Sequence, residues 1–176
     1  AIIQARMGSE RLPGKMLKKI SDISLIEWVI ERVKKSKKIK KIILATTTNK
    51  KDDIFKKIAK KKKISIFRGA TNNVLLRFFK AAKLYKSNYI VRICGDNPFI
   101  DSGQIDLLIK TFLSRKCDYA FNHQNKLDSK YADGFGAEIF TNDVLQRLYK
   151  KAKSKPHREH VTKYIWDNVD EFKILS

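Results

Sequence analysis

Short apolar runs and helix-period segments take turns along this chain, and that alternation narrows the folds open to it more than any other feature. Residues 1–4 open a first strand. Leu25, Ile26, Val29, Ile30 and Val33 then recur at i, i+3, i+4 spacing, which predicts a helix with Ser24 as its cap. A second strand is expected over 41–46. Asp52 and Asp53 suit the start of a helix that turns Ile54, Phe55, Ile58 and Ala59 inward. A third strand over 64–67 is followed by a helix over 74–86 and by residues 89–94, the most strand-like segment and the expected centre of the sheet. Ile105, Leu108, Ile109 and Phe112 mark another helix. Strands over 118–122 and 135–140, a helix capped by Thr141 or Asn142, a last helix over 158–168 and a strand begun at 172–175 complete the order. Alternation of this kind predicts an α/β fold with a doubly wound, mostly parallel sheet, formed by residues 1–176 as one domain.

The first strand empties into a loop rich in polar and basic groups: Arg6, Gly8, Ser9, Arg11, Pro13, Gly14 and Lys15 follow within eleven residues of Ala5 with no hydrophobic periodicity. Glycines let a backbone approach a ligand closely, a serine adds a hydroxyl, and two arginines and a lysine add charge that phosphate oxygens accept well. In an open α/β sheet such a loop lies outside the carboxyl ends of the strands, where ligands sit. It is not a Walker A loop, because five residues separate Gly8 from Gly14 and Met16 follows Lys15. The dinucleotide G-x-G-x-x-G spacing is absent too. The competing reading is a cationic surface loop built of turn residues.

Composition excludes other classes. With 176 residues and 43% hydrophobic content the chain is long enough for a full core. No run approaches a membrane span or a signal peptide. Cys94 and Cys117 suggest neither a disulfide framework nor a zinc site, so a reducing cytoplasm is the expected compartment. The net charge of +21 raises the question of nucleic-acid binding. Yet the densest lysines, Lys34 to Lys41 and Lys60 to Lys63, directly precede strands, which puts them at the sheet edge opposite the ligand edge. No aromatic residues interleave with them to stack bases, and a solvated face is the expected reading, with no nucleic-acid partner.

Asp96 is the second chemical signal. It stands between Gly95 and Asn97-Pro98 directly after the strand at 89–94, so its carboxylate is expected in the same cleft as the basic loop. Magnesium uses one or two protein carboxylates and completes its shell with water and substrate phosphates. The competing role is a turn cap, as Asp often plays beside Gly and Pro. Asp101 is the weaker candidate for the metal, since it is placed to cap the helix after Ser102. His157 and His160, three apart, have a spacing that chelates metal on a helix, or else they are surface hydrogen-bonding groups. Cys94, small and in a strand, reads as core.

Five ordered blocks, ARMGSERLPGK, RGATNNVLLRFFKAAK, IVRICGDNPFID, YADGFGAEIF and REHVTKYIWDN, resemble the cytidylyltransferases of the spore-coat polysaccharide type, relatives of the CMP-KDO and CMP-acylneuraminate synthetases. The resemblance implies a nucleotide-diphospho-sugar transferase fold and transfer of CMP from CTP to a sugar, an acidic keto-sugar by analogy, with release of pyrophosphate. The loop A-R-x-G-S-x-R-x-P-x-K of that family holds the triphosphate, which implies nucleotide binding by Arg6, Gly8, Ser9, Arg11 and Lys15, and Arg77 inherits a nucleotide contact. The G-D-x-P segment implies Mg2+ at Asp96. Arg6, Lys15 and Asp96 are thus the expected catalytic groups, and Asp133, Glu138 and His160 the expected sugar contacts. Glu138, alternating with Ala137 and Ile139, has solvent exposure as its competing reading. Relatives are often homodimers. They also continue into a further strand whose acidic cluster helps hold the metal; with no initial Met and a short first strand, residues are expected to be missing at both ends. Two other functions remain open. A glycosyltransferase commonly presents D-x-D, and no Asp here lies two positions from another. A basic nucleic-acid-binding protein is the third reading.

Overall fold

The computed structural model describes residues 1–9, 11–123 and 134–176. Along the chain run β1 (Ile2–Gln4), β2 (Lys19–Ile20), β3 (Ile23–Ser24), α1 (Leu25–Lys34), β4 (Ile43–Thr47), α2 (Ile54–Lys61), β5 (Ser65–Gly69), α3 (Val74–Leu84) and β6 (Tyr89–Cys94). They continue as α4 (Ser102–Ser114), β7 (Tyr119–Phe121), β8 (Glu138–Thr141), α5 (Asn142–Lys151), α6 (Lys155–Glu159), α7 (Lys163–Asp167) and β9 (Ile174–Leu175). Among the described residues seven strands pair in the order β5-β4-β1-β6-β8-β7-β9, with β6 in the middle as its apolar sequence predicts, while β2 and β3 form a separate small hairpin. All ladders in the large sheet are parallel except those of β8, which runs antiparallel to both β6 and β7.

Period-2 side-chain alternation divides the strands between two cores. Ile3, Leu44, Val91, Ile93 and Ile139 face α1, α2 and α4. Ile2, Ile43, Ala45, Ile90, Phe121 and Phe140 face α3, α5 and α7. Helices therefore cover both faces, the doubly wound arrangement that the alternation predicts. Each core side chain of this size contributes about 1.5–3 kcal/mol on burial.

Several local expectations are corrected. The expected strand over 135–140 begins only at Glu138, because Asn122 intervenes: its Oδ1 accepts from the Ala137 amide at 2.9 Å while its Nδ2 donates to the Gln104 carbonyl. The expected last helix is broken into α6 and α7. His160 is extended (φ −114°, ψ 106°), which lets Val161 and Thr162 turn into the core. Ser24 stands at the α1 N-terminus, but its hydroxyl donates to Glu27 Oε2 at 2.6 Å and accepts from no helix amide. Thr141 and Asp101 do cap their helices, accepting from the Val144 and Gln104 amides. Lys34, Lys35, Lys37, Lys38, Lys40 and Lys41 are exposed ahead of β4, at the edge away from the C-terminal ends of β1 and β6.

Candidate active site

An open cleft of about 290 Å³ lies at the C-terminal edge of the sheet, lined by Arg6, Ser9, Arg11, Lys15, Arg77 and Asp96 among others. Three elements deliver these groups. The loop after β1 carries Arg6 to Lys15. A single turn at Lys15–Leu17 closes that loop, and its first residue is preceded by Gly14 at φ +70°, a left-handed conformation that a side chain would strain. The turn after β6 carries Asp96. Helix α3, whose N-cap Asn73 accepts from the Leu76 amide at 2.8 Å, carries Arg77.

The loop and the turn meet directly. Lys15 Nζ lies 2.5 Å from Asp96 Oδ2, joining residues 81 apart in sequence. Gly95 makes the approach possible: its amide donates to the Gln4 carbonyl at 2.9 Å, and a Cβ there would meet that oxygen at 2.6 Å.

Arg77 is 2% exposed, and its guanidinium donates to the Ala70 carbonyl at 2.7 Å. Burial, then repulsion from Arg6, lowers its pKa to about 10, with Asp52 working the other way, so the group stays charged at neutral pH. Its buried Nε has no hydrogen-bond partner among the described residues. An unmet donor in a cleft wall is costly unless an acceptor arrives.

Glu138 stands apart from the cleft lining, and its 1% exposure also rules out the solvent-facing reading. Its Oε1 pairs with Arg92 on β6 and lies 3.2 Å from His123 Nε2. Burial alone would raise its pKa, but Arg92 and His123 outweigh burial and hold it below the ordinary value. Arg92 in turn donates to Gln4, which does line the cleft. Glu138 is thus part of a buried ionic chain behind the cleft wall.

His160 lines the cleft, and beside it stands Glu159, which the sequence reading passed over; its signal was its place in the same REHVT block. His157 bonds Asp167 at 2.8 Å, which is the surface hydrogen-bonding role. Gly8 is exposed and outside the lining. Asp133 lies outside the described residues.

The donor set is compatible with magnesium. Asp96 and Glu159 are the cleft-lining carboxylates, and no group of three His, Cys, Asp or Glu among the described residues could hold a metal by itself. Magnesium needs no more than one or two carboxylates where phosphates complete its shell.

A family model described as cytidylyltransferase matches residues 1–176. An uncharacterised protein of Methanocaldococcus jannaschii is 42% identical over 174 residues, covering 99% of this chain and 69% of its own length. The spore coat polysaccharide biosynthesis protein SpsF of Bacillus subtilis is 34% identical over 178 residues, covering 98% and 72%. Among solved structures, a cytidylyltransferase from Leptospira borgpetersenii superimposes with a TM-score of 0.92 at 37% identity, over 99% of this chain and 73% of that one.

Proposed function

The chain belongs to the cytidylyltransferase family, and from that premise we propose that it activates an acidic keto-sugar with CTP, giving a CMP-sugar and pyrophosphate for surface polysaccharide synthesis. One observation carries this reading: four cationic side chains, Arg6, Arg11, Lys15 and Arg77, share a cleft with Asp96. A triphosphate offers the negative charge such a cleft suits, and SpsF-like relatives supply the polysaccharide context. The resemblance to synthetases of CMP-linked keto-sugar acids supplies the sugar class.

A sugar hydroxyl attacks the α-phosphorus in line, a new O–P bond forms, and the bond to the pyrophosphate breaks. Little covalent work falls to the protein, so positioning and charge carry the catalysis. Lys15 and Arg6 neutralise the β- and γ-phosphates. Arg77, held in the wall by Ala70, keeps one donor free for the nucleotide. Arg11 and Ser9 hold the phosphate chain, and His160 and Glu159 face the sugar. Asp96 is the residue that would hold magnesium, whose chemistry is to polarise the α-phosphate and stabilise the leaving group.

The test is to incubate the protein with magnesium, each of four nucleoside triphosphates and a panel of neutral and acidic sugars, and to follow pyrophosphate. Release with CTP and a keto-sugar acid alone is the expected result. Release only with neutral sugars removes the acid specificity. Nucleotide release from a finished sugar donor, with no pyrophosphate from CTP, replaces this reading with a glycosyltransferase.

A further inference from the structure

Asp52 suits a helix start by sequence, and the structure gives it other work. It follows β4 in a single turn, Lys50–Asp53, whose own cap is Asn49, accepting from the Lys51 amide at 2.9 Å. Asp52 is 2% exposed, while its neighbour Asp53 lies at the surface and pairs with Arg68 at 2.7 Å. Burying a carboxylate is expensive unless hydrogen bonds compensate it. Here three donors do so. The Met7 amide donates to Oδ1 at 2.8 Å; the Thr47 amide, at 3.3 Å, and the Thr47 hydroxyl donate to Oδ2.

Met7 lies between Arg6 and Gly8, at the head of the loop that lines the cleft. Thr47 closes β4, the neighbour of β1. One carboxylate therefore clamps the Met7 peptide group at the head of the loop to the end of an adjacent strand. We infer that Asp52 is a positioning residue of the nucleotide site, fixing the head of the phosphate loop and so setting the preference for a triphosphate over a monophosphate. This inference rests on the triphosphate reading of the cleft given above.

Electrostatics act in the same direction. Arg6 and Arg77 repel one another, and Asp52 is the anion that offsets the repulsion at Arg77. Without it, the repulsion between the two guanidiniums loses that offset before any phosphate arrives. The residue touches no substrate, so its effect reaches the reaction through Met7 and Arg6.

The experiment compares Kd for CTP and for CMP in the wild type, Asp52→Ala, Asp52→Asn and the surface control Asp53→Ala, with Tm and the exchange rate of the Met7 amide proton measured on each. For Asp52→Ala the CTP-over-CMP preference is expected to fall about ten- to a hundredfold, the scale of losing a charged hydrogen-bond partner. CMP affinity stays within about twofold, Met7 exchange accelerates, and Asp53→Ala keeps the wild-type ratio. An equal loss of affinity for both nucleotides, which simple loosening of the fold produces, overturns the inference. If Asp52→Ala does not fold, Asp52→Asn decides: it keeps an acceptor for Met7 but not for both Thr47 donors, and an unchanged ratio in the folded variant refutes the claim. A wild type that binds CTP no better than CMP overturns the triphosphate reading itself; protected Met7 exchange in that protein, lost in Asp52→Ala, then leaves the anchor standing without its nucleotide role.

Discussion

Arg92, Glu138 and His123 form a buried ionic chain whose members the sequence scatters, since Arg92 and Glu138 are 46 positions apart. Breaking such a chain by removing one charge leaves an uncompensated ion in the interior. Glu138→Gln is therefore expected to destabilise the protein by about 3–5 kcal/mol, read from the urea midpoint at neutral pH. The pH dependence has a definite sign. Because the folded pKa of Glu138 lies below the ordinary value of 4.5, its stabilising contribution is complete above 4.5 and is lost as pH falls through the folded value. Wild type should lose stability in that acid window more steeply than Glu138→Gln. At this scale sequence reasoning reached Arg6, Ser9, Arg11, Lys15 and Asp96, because their neighbours in the chain already announce a polar loop or turn. It did not foresee the burial of Asp52 or of Glu138. Nothing local says which way an acid turns when its partners come from other strands.

Elements were more legible than residues, because periodicity is a local property and helix caps sit beside the segments they cap. The strand at Tyr89–Cys94 and the helices starting at Leu25, Val74 and Asn142 fall where apolar spacing and cap residues put them. The strand expected over 135–140 is one exception and the helix expected over 158–168 is another: the helix's periodic residues continue through a break that tertiary burial of Val161 imposes. The junction of β1 and β6 is where element geometry bears on chemistry. At Gly95 an added Cβ meets the Gln4 carbonyl at 2.6 Å and the Ala5 side chain at 3.2 Å, so Gly95→Ala must push the two strand ends apart. The expected outcome is a folded protein whose CTP turnover drops by about a hundredfold, since a shift near 1 Å at the reacting groups is worth that much. Turnover at the wild-type rate, with circular dichroism unchanged, would show that the strand ends tolerate the extra atom.

Across the whole molecule the charge is unevenly used. Most of the lysines responsible for the +21 lie away from the cleft, and some are already committed, as Lys62 is to Glu27 and Glu31 at 3.5 and 3.0 Å. Four cations, Arg6, Arg11, Lys15 and Arg77, line the cleft at the opposite edge. The sheet order itself was not readable from the chain: alternation predicts a mostly parallel sheet, but it does not reveal that β8 inserts antiparallel between β6 and β7. The contact between Lys15 and Asp96 has one more effect. On the proposed function, an incoming phosphate would have to displace the aspartate from the Lys15 ammonium, so ligand entry would begin with an exchange of anions. Asp96→Asn should accordingly bind CTP more tightly in a metal-free equilibrium titration while turning it over far more slowly: a loss of rate that travels with a gain of affinity.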